Sequence, residues 1–342
     1  MSKTKLKNIE IGGVEIAPGE RRKLSIDVVP LYDFTNMTIP VEVIRGMQEG
    51  PILFISAAVH GDEINGVKII NRLLRLKAIK KIKGTLIVVP IVNVFGFTSR
   101  SRYLPDRRDL NRSFPGSEEG SLAARLANKF MKEIVRECTH GIDLHTAAIH
   151  RNNYPQIRAN MGHPEVNKMA HAFGLPVILN SIPPAGAMRG EAEKIGIPVL
   201  VYEGGEALRF DAKMVKSGLQ GIIGVMRAIG MLSPKGENKG KKKEAAFIAK
   251  TSYWVRAYQS GIFSASKKLG TRVNRGEIIG MISDPFGEHE LEVTAPRAGI
   301  IIGGAVIPLV NEGDALFHIA TFHNTGLVEE RVGVFEDSLG EE

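Results

Sequence analysis

Hydrophobic positions change their spacing three times along the chain. Up to about Arg45 they alternate in short runs such as KLSIDVVPLY and IPVEVI, with glycine and proline between, as half-buried β-strands do. From about Pro51 to Met231 apolar runs alternate with stretches of helical period. ILFISAAV is followed by Val67, Ile70 and Leu74, and TLIVVPIV by Leu122, Leu126, Phe130 and Ile134. GIDLH, PVIL and IPVLVYE add strands before a last helix ending near RAIGML. This alternation predicts an α/β fold whose mixed, mainly parallel sheet is sandwiched by helices. Beyond the lysine-rich KGENKGKKK the helical period disappears, and residues from Ala246 to about Ala320 predict a small all-β module. The expected division is an N-terminal β segment (1–46) associated with a main domain (47–235), an all-β domain (245–325) and an acidic tail (326–342). That tail is expected to be partly disordered and solvated.

Composition narrows the class. An apolar fraction of 43% in 342 residues is ordinary for a soluble protein with a substantial core. The single cysteine, Cys138, permits no intramolecular disulfide and fits a reducing compartment. The opening residues MSKTKLKNIEIGG lack the apolar centre of a signal peptide, and no apolar run reaches spanning length, so a cytoplasmic protein without a membrane partner is expected. A net charge of +8 fits nucleic acid, anionic lipid or an anionic small substrate. The basic residues cluster in SRSRYLPDRRDLNR, mixed with acids and turn residues, and in the polar linker. Neither carries a recognition-helix, zinc-finger or aromatic ribonucleoprotein pattern, so no nucleic-acid partner is expected.

Candidate chemistry begins at FISAAVHGDEINGVKII. His60 falls at the carboxyl end of a predicted strand, and Glu63 on the first turn of the next helix, where one ion can reach both. Sites of open α/β sheets are built at that edge. In GIDLHTA, His145 ends another strand of the same zone. Two imidazoles and one carboxylate form a set that catalytic zinc uses, with a further position open to water. Taken alone, the same residues also read as a hydrogen-bonded strand-end histidine and a helix N-terminal acid. IPVLVYEGGE adds Glu203 at a further strand end, beside two glycines, where hydrolysis needs a base. The segment NVFGFTSRSRYLPDRRDLNRSFPG is long for a connection within a compact domain and has the character of a functional loop. Most of Arg100, Arg107 and Arg108 read as its solvated part.

The set HGDE, RY, DLNR, DLHTA and YEGG, in this order over roughly residues 50 to 230, resembles the succinylglutamate desuccinylase and aspartoacylase family, relatives of the zinc carboxypeptidases. The resemblance implies a zinc carboxypeptidase-like fold and one zinc ion per chain, held by His60, Glu63 and His145. It implies Glu203 as general base, Arg102 as the residue that polarises the scissile carbonyl, and Asn111 and Arg112 as holders of the substrate carboxylate. Asp109 and Asp143 support them. PPAGAMRGEAEK departs from the family pattern just upstream of the base, and Arg189 is the candidate there for reading the acyl group. The expected function is a zinc-dependent N-acyl amidohydrolase acting on a small N-acylated amino acid or related amine. The alternatives are a metallocarboxypeptidase and a metal-dependent binding protein.

GTRVNRGEIIGMI, LEVTAPRAGII and VNEGDALFHIA resemble turns of a biotinyl- or lipoyl-type barrel, but no lysine follows Lys268 and Glu288 stands where the carrier lysine belongs. The module is therefore read as a lid, a specificity wall or an oligomer contact, and a homo-oligomer is compatible with it. Trp254 is expected to pack the β module. His150 is expected near His145, and the other histidines are structural.

Overall fold

A computed structural model describes residues 6–234 and 246–340. The lysine-rich segment, 235–243, and the adjoining domain limits at 235 and 245 lie outside the described residues. The N-terminal segment holds a small hairpin, β1 (Ile9–Ile11) with β2 (Val14–Ile16), and a long one, β3 (Arg21–Pro30) with β4 (Asn36–Arg45). The α/β part runs β5 (Ile52–Ala57), α1 (Asn65–Leu73), β6 (Thr85–Val89), α2 (Val94–Ser99), α3 (Leu122–Glu133), β7 (His140–His145) and β8 (Arg151–Ala159). It continues with α4 (Pro164–Phe173), β9 (Val177–Asn180), α5 (Met188–Lys194), β10 (Val199–Glu206) and α6 (Ala212–Ala228). The C-terminal part contributes β11 (Phe247–Ala249), β12 (Thr251–Arg256), β13 (Gly261–Ala265), β14 (Arg272–Val273), β15 (Ile278–Ser283) and β16 (Glu290–Thr294). After these come β17 (Gly299–Ala305), β18 (Leu309–Val310), β19 (Ala315–Thr321) and α7 (Thr325–Gly340).

One sheet runs through the molecule in the order β12, β19, β17, β8, β10, β7, β5, β6, β4, β3. Its parallel centre is β10, β7, β5 and β6, joined by crossovers, with β9 and β11 parallel beside β8. The mainly parallel sheet expected from sequence is confined to these strands; β3, β4, β8, β17, β19 and β12 form antiparallel flanks. The reason is connectivity. β8 follows β7 after five residues and β3 turns straight into β4, too short for the crossover a parallel pair requires. The strands β16, β15, β13 and β18 make a separate four-stranded sheet.

The central strands are apolar without alternation because both faces are covered. In β5, Ile55 packs on one side with Ile69, Ile70 and Tyr202, whereas Phe54 packs on the other with Leu126 and Phe130. The acidic tail departs from expectation, for residues Thr325–Gly340 form a helix. Val328, Val332, Phe335 and Leu339, spaced four, three and four, supply a buried face that the intervening glutamates hide from a composition reading.

Candidate active site and metal centre

Two strand ends of the parallel centre bring the candidate ligands together. β5 ends at Ala57, and the turn carrying His60 and Glu63 precedes α1, so Glu63 stands just outside the helix on which it was expected. Gly61 lets this turn press against α2, for a Cβ there would lie 1.9 Å from the Gly96 carbonyl carbon. His145 is the last residue of β7. His60 Nδ1 lies 2.6 Å from Glu63 Oε1, and His145 Nδ1 lies 2.8 Å from Glu63 Oε2. The outer nitrogen of each imidazole donates to an aspartate: His60 Nε2 to Asp109 Oδ1 at 3.1 Å, and His145 Nε2 to Asp143 Oδ2 at 2.7 Å. Ser56 Oγ in turn donates to Asp143.

This arrangement fits a metal ion. With Nε2–H given to an aspartate, each Nδ1 lone pair faces a carboxylate oxygen, and two acceptors that close require a cation between them, a proton or a metal. The three ligand atoms lie within 4.8 Å of one another, and all three residues are buried. The electrostatics agree. Burial would raise the Glu63 carboxyl, but the two imidazoles hold it far below the ordinary value. Burial depresses both imidazoles, yet Glu63 and Asp109 leave His60 above its ordinary value, and Asp143 and Glu63 raise His145 well above it.

The long loop closes over this cluster. Arg102 donates through Nε and Nη2 to Asp109 Oδ2 and through Nη1 to Glu63 Oε1 at 3.1 Å. Its guanidinium thus sits beside the candidate ligands, tied to two carboxylates. Asp109 accepts the Asn111 backbone N–H and starts the tight turn Leu110–Arg112. Asn111 Oδ1 accepts from the Met188 backbone N–H, and Asn111 and the exposed Arg112 both line the cavity.

Glu203 lines the same cavity. In the sheet it is the direct neighbour of His145, and β10 continues past it to Glu206 rather than stopping as the sequence suggested. Asn153 of β8 donates to Glu203 Oε2 at 2.8 Å, and Arg158 Nε lies 3.3 Å from Oε1. One cavity is lined by His60, Glu63, Arg102, Asn111, Arg112, His145, Arg189 and Glu203, so all eight residues singled out by sequence meet in it. Arg189 is buried on α5, with Nη2 donating to Ser181 O and Oγ.

Several lining residues escaped the sequence reading. Arg151, Asn153 and Arg158 reach the site from β8, whose alternation was legible in RNNYPQIRA but whose place beside β10 was not. Trp254 packs the β module as expected, stacked on His318 of β19 at 4.5 Å, and β12 also carries it to the cavity wall, where the Arg151 guanidinium lies 5.2 Å from its ring. His150 is exposed in a turn, and its neighbours Ala147, Ala148 and Arg151 line the cavity in its place.

The model of the succinylglutamate desuccinylase/aspartoacylase catalytic domain matches residues 49–229. The chain belongs to that family. Among family proteins, it is 24% identical over 292 residues to the N-alpha-acetyl-L-2,4-diaminobutyric acid deacetylase of Halomonas elongata, covering 82% of this chain and 85% of that one. It is 32% identical over 153 residues to the succinylglutamate desuccinylase of Pseudomonas aeruginosa, 42% of this chain and 45% of the relative. A succinylglutamate desuccinylase/aspartoacylase structure from Rhodobacter sphaeroides superposes with TM-score 0.78 at 25% identity, over 89% of this chain and 96% of that one. The product-bound ectoine utilization protein of Ruegeria pomeroyi shares the fold, with TM-score 0.79 at 23% identity over 88% and 95%. No helix of the described residues is long and apolar enough to cross a membrane.

Proposed function

We propose that the protein is a zinc-dependent N-acyl amidohydrolase that cleaves the amide bond of a small N-acylated amino acid, with one zinc per chain at His60, Glu63 and His145. The reading rests chiefly on one observation, the Glu203 carboxylate lining the same cavity as the buried His–Glu–His cluster, on the strand next to His145. The names of the relatives, a deacetylase and a desuccinylase, support it. On this reading residues 47–235 are the hydrolase domain. Residues 245–325, whose turns are like those of a biotinyl or lipoyl barrel, supply part of its wall.

A bound zinc ion supplies Lewis acidity and makes water a nucleophile near neutral pH. The chain's residues do the rest. Arg112 and the Asn111 amide hold the α-carboxylate of the substrate, which fixes the amide carbonyl in the cavity. Glu203 accepts a proton from the attacking water and returns it to the leaving nitrogen, so that one amide and one water become a carboxylic acid and a free amine. Arg102 places positive charge where the carbonyl oxygen becomes negative. Asp109 and Asp143 fix the ring orientation of the two histidines.

The test combines elemental analysis with amine release from N-acetyl, N-formyl and N-succinyl amino acids. About one zinc per chain and turnover of one acyl class are expected. Glu203→Gln should retain the metal and lose activity by about 10²-fold or more. A variant with undiminished turnover would remove Glu203 from the mechanism. A peptidase is the competing reading, and hydrolysis of peptides in preference to N-acyl amino acids would establish it.

A further inference from the structure

Glu203 stands where its strand loses support. β7 pairs with β10 only as far as the step from Glu203 to His145, and the β8 ladder slips by one residue between Glu203 and Gly205. A carboxylate at such a point needs further ties if it is to keep one place beside the metal cluster, because small displacements of a reacting group are costly. Those ties come from the turn that carries Glu63. Asn65, two residues further on, is fully buried at the start of α1. Its Nδ2 donates to the Gly204 carbonyl oxygen at 3.2 Å, and its Oδ1 accepts from the Asp211 backbone N–H at 3.0 Å. Beside it the Leu208 N–H donates to the Asp62 carbonyl oxygen at 2.8 Å.

Both ends of the Asn65 amide are thus spent on the segment that follows Glu203. The pattern needs a donor and an acceptor on one short side chain. An aspartate of the same shape would turn an acceptor towards the Gly204 oxygen, which is itself an acceptor, and an alanine would leave both backbone groups without a partner. The space is matched as well. Gly205 has a φ of +84°, and a Cβ there would collide with the Asn65 amide nitrogen. Asn65 is not among the residues that line the cavity, so any effect on the reaction has to pass through its neighbours.

We propose that Asn65 is a positioning residue: it locks the backbone after Glu203 to the turn that bears Glu63, and so fixes the base relative to the metal ligands. The inference rests on the amidohydrolase reading with Glu203 as base. Without the tie, the chain still collects its metal ligands and still holds the substrate carboxylate at Asn111 and Arg112, but the Glu203 carboxylate no longer keeps its alignment with the proton it must take.

The test uses the full chain loaded with zinc and whichever N-acetyl, N-formyl or N-succinyl amino acid it hydrolyses fastest. Asn65→Asp removes only the donor, and Asn65→Ala removes both partners. Each should keep its zinc in elemental analysis and lose kcat by about 10- to 100-fold, with KM changed by less than about threefold. The decisive comparison is made in the Glu203→Gln background. There Asn65→Asp should cost nothing further, since a residue that acts through the base cannot lower a rate that the base no longer supports. A merely structural role would instead multiply the two losses. Amide hydrogen exchange gives a readout without turnover: the Asp211 N–H should exchange about tenfold or more faster in Asn65→Ala and stay protected in Asn65→Asp, which keeps the acceptor. If Asn65→Ala fails to fold, Gly205→Ala takes its place, because its methyl group drives into the Asn65 amide from the other side and should lower kcat at unchanged KM in the same way. Full kcat in Asn65→Asp and Gly205→Ala, losses that multiply with Glu203→Gln, or unchanged Asp211 exchange in Asn65→Ala would each overturn the proposal. An impaired Glu203→Gln beside an unimpaired Asn65→Asp overturns the positioning role alone. An unimpaired Glu203→Gln, or a parent chain that hydrolyses no N-acyl amino acid, brings down the underlying reading and the positioning role with it.

Discussion

Gly186 shapes the backbone that carries Arg112, the proposed holder of the substrate carboxylate. Its φ is +72°, and a Cβ there would lie 2.3 Å from the Arg112 carbonyl oxygen. Gly186→Ala must therefore move the backbone that carries Arg112. We expect KM to rise about tenfold or more with a smaller change in kcat, because the lost contact holds substrate in ground and transition states alike; steady-state kinetics measure both. His318 gives a second prediction at this scale. Burial, aided by the charge of Arg158, pushes its imidazole down to about 3, so the native protein keeps it neutral while the unfolded chain protonates it below about 6.5. The contribution of His318 is fully present above pH 6.5 and is lost progressively as pH falls towards 3. Urea midpoints at pH 7 and pH 5 should differ less in His318→Gln than in the parent chain.

Elements were legible where a period was strong, and hidden where another signal covered it. The strand, turn and helix around His60 followed from FISAAVHGDEINGVKII alone, since six apolar or small residues ending in a polar cluster have few other solutions. The helix at Thr325–Gly340 was masked because VEERVGVFEDSLGEE reads first as charge. Its apolar spacing carries the fold, and Phe335→Ala should destabilise the chain by about 3 kcal/mol in chemical denaturation. The site residues after β5, on β7 and on β10 could be named because each ends an apolar run, and those of the long loop through the family motifs RY and DLNR. Arg158 and Trp254 could not, since each sits inside an ordinary strand and only sheet order makes it a neighbour of Glu203 or of the cavity. Strand order depends on contacts distant in sequence, which local periodicity does not encode.

At the scale of the molecule, one sheet runs from the N-terminal hairpin through the strands that carry the cavity to the C-terminal strands, so an ion held by the His60–Glu63–His145 cluster would stabilise that whole sheet. On the proposed reading zinc binds the folded ligand set, and stability should then rise by RT ln(1 + [Zn]/Kd) with free zinc, while a chelator should lower Tm by several degrees in calorimetry. An unchanged Tm would mean that the cluster holds no metal in the folded protein.

The place of β17 between β8 and β19 also sets an order of assembly during synthesis. The ribosome delivers the His60–Glu63–His145 cluster by residue 145, β9 against Gln156–Ala159 of β8, and then Glu203, but Trp254 and β17, which covers Arg151–Asn153 of the same edge, come only later. An unfinished chain can thus gather this cluster while the Arg151–Asn153 end of β8 still lacks its partner strand, the kind of edge that other growing chains can join. Slow or interrupted translation between residues 206 and 299 is where this protein is most exposed to aggregation, before it owns a complete pocket.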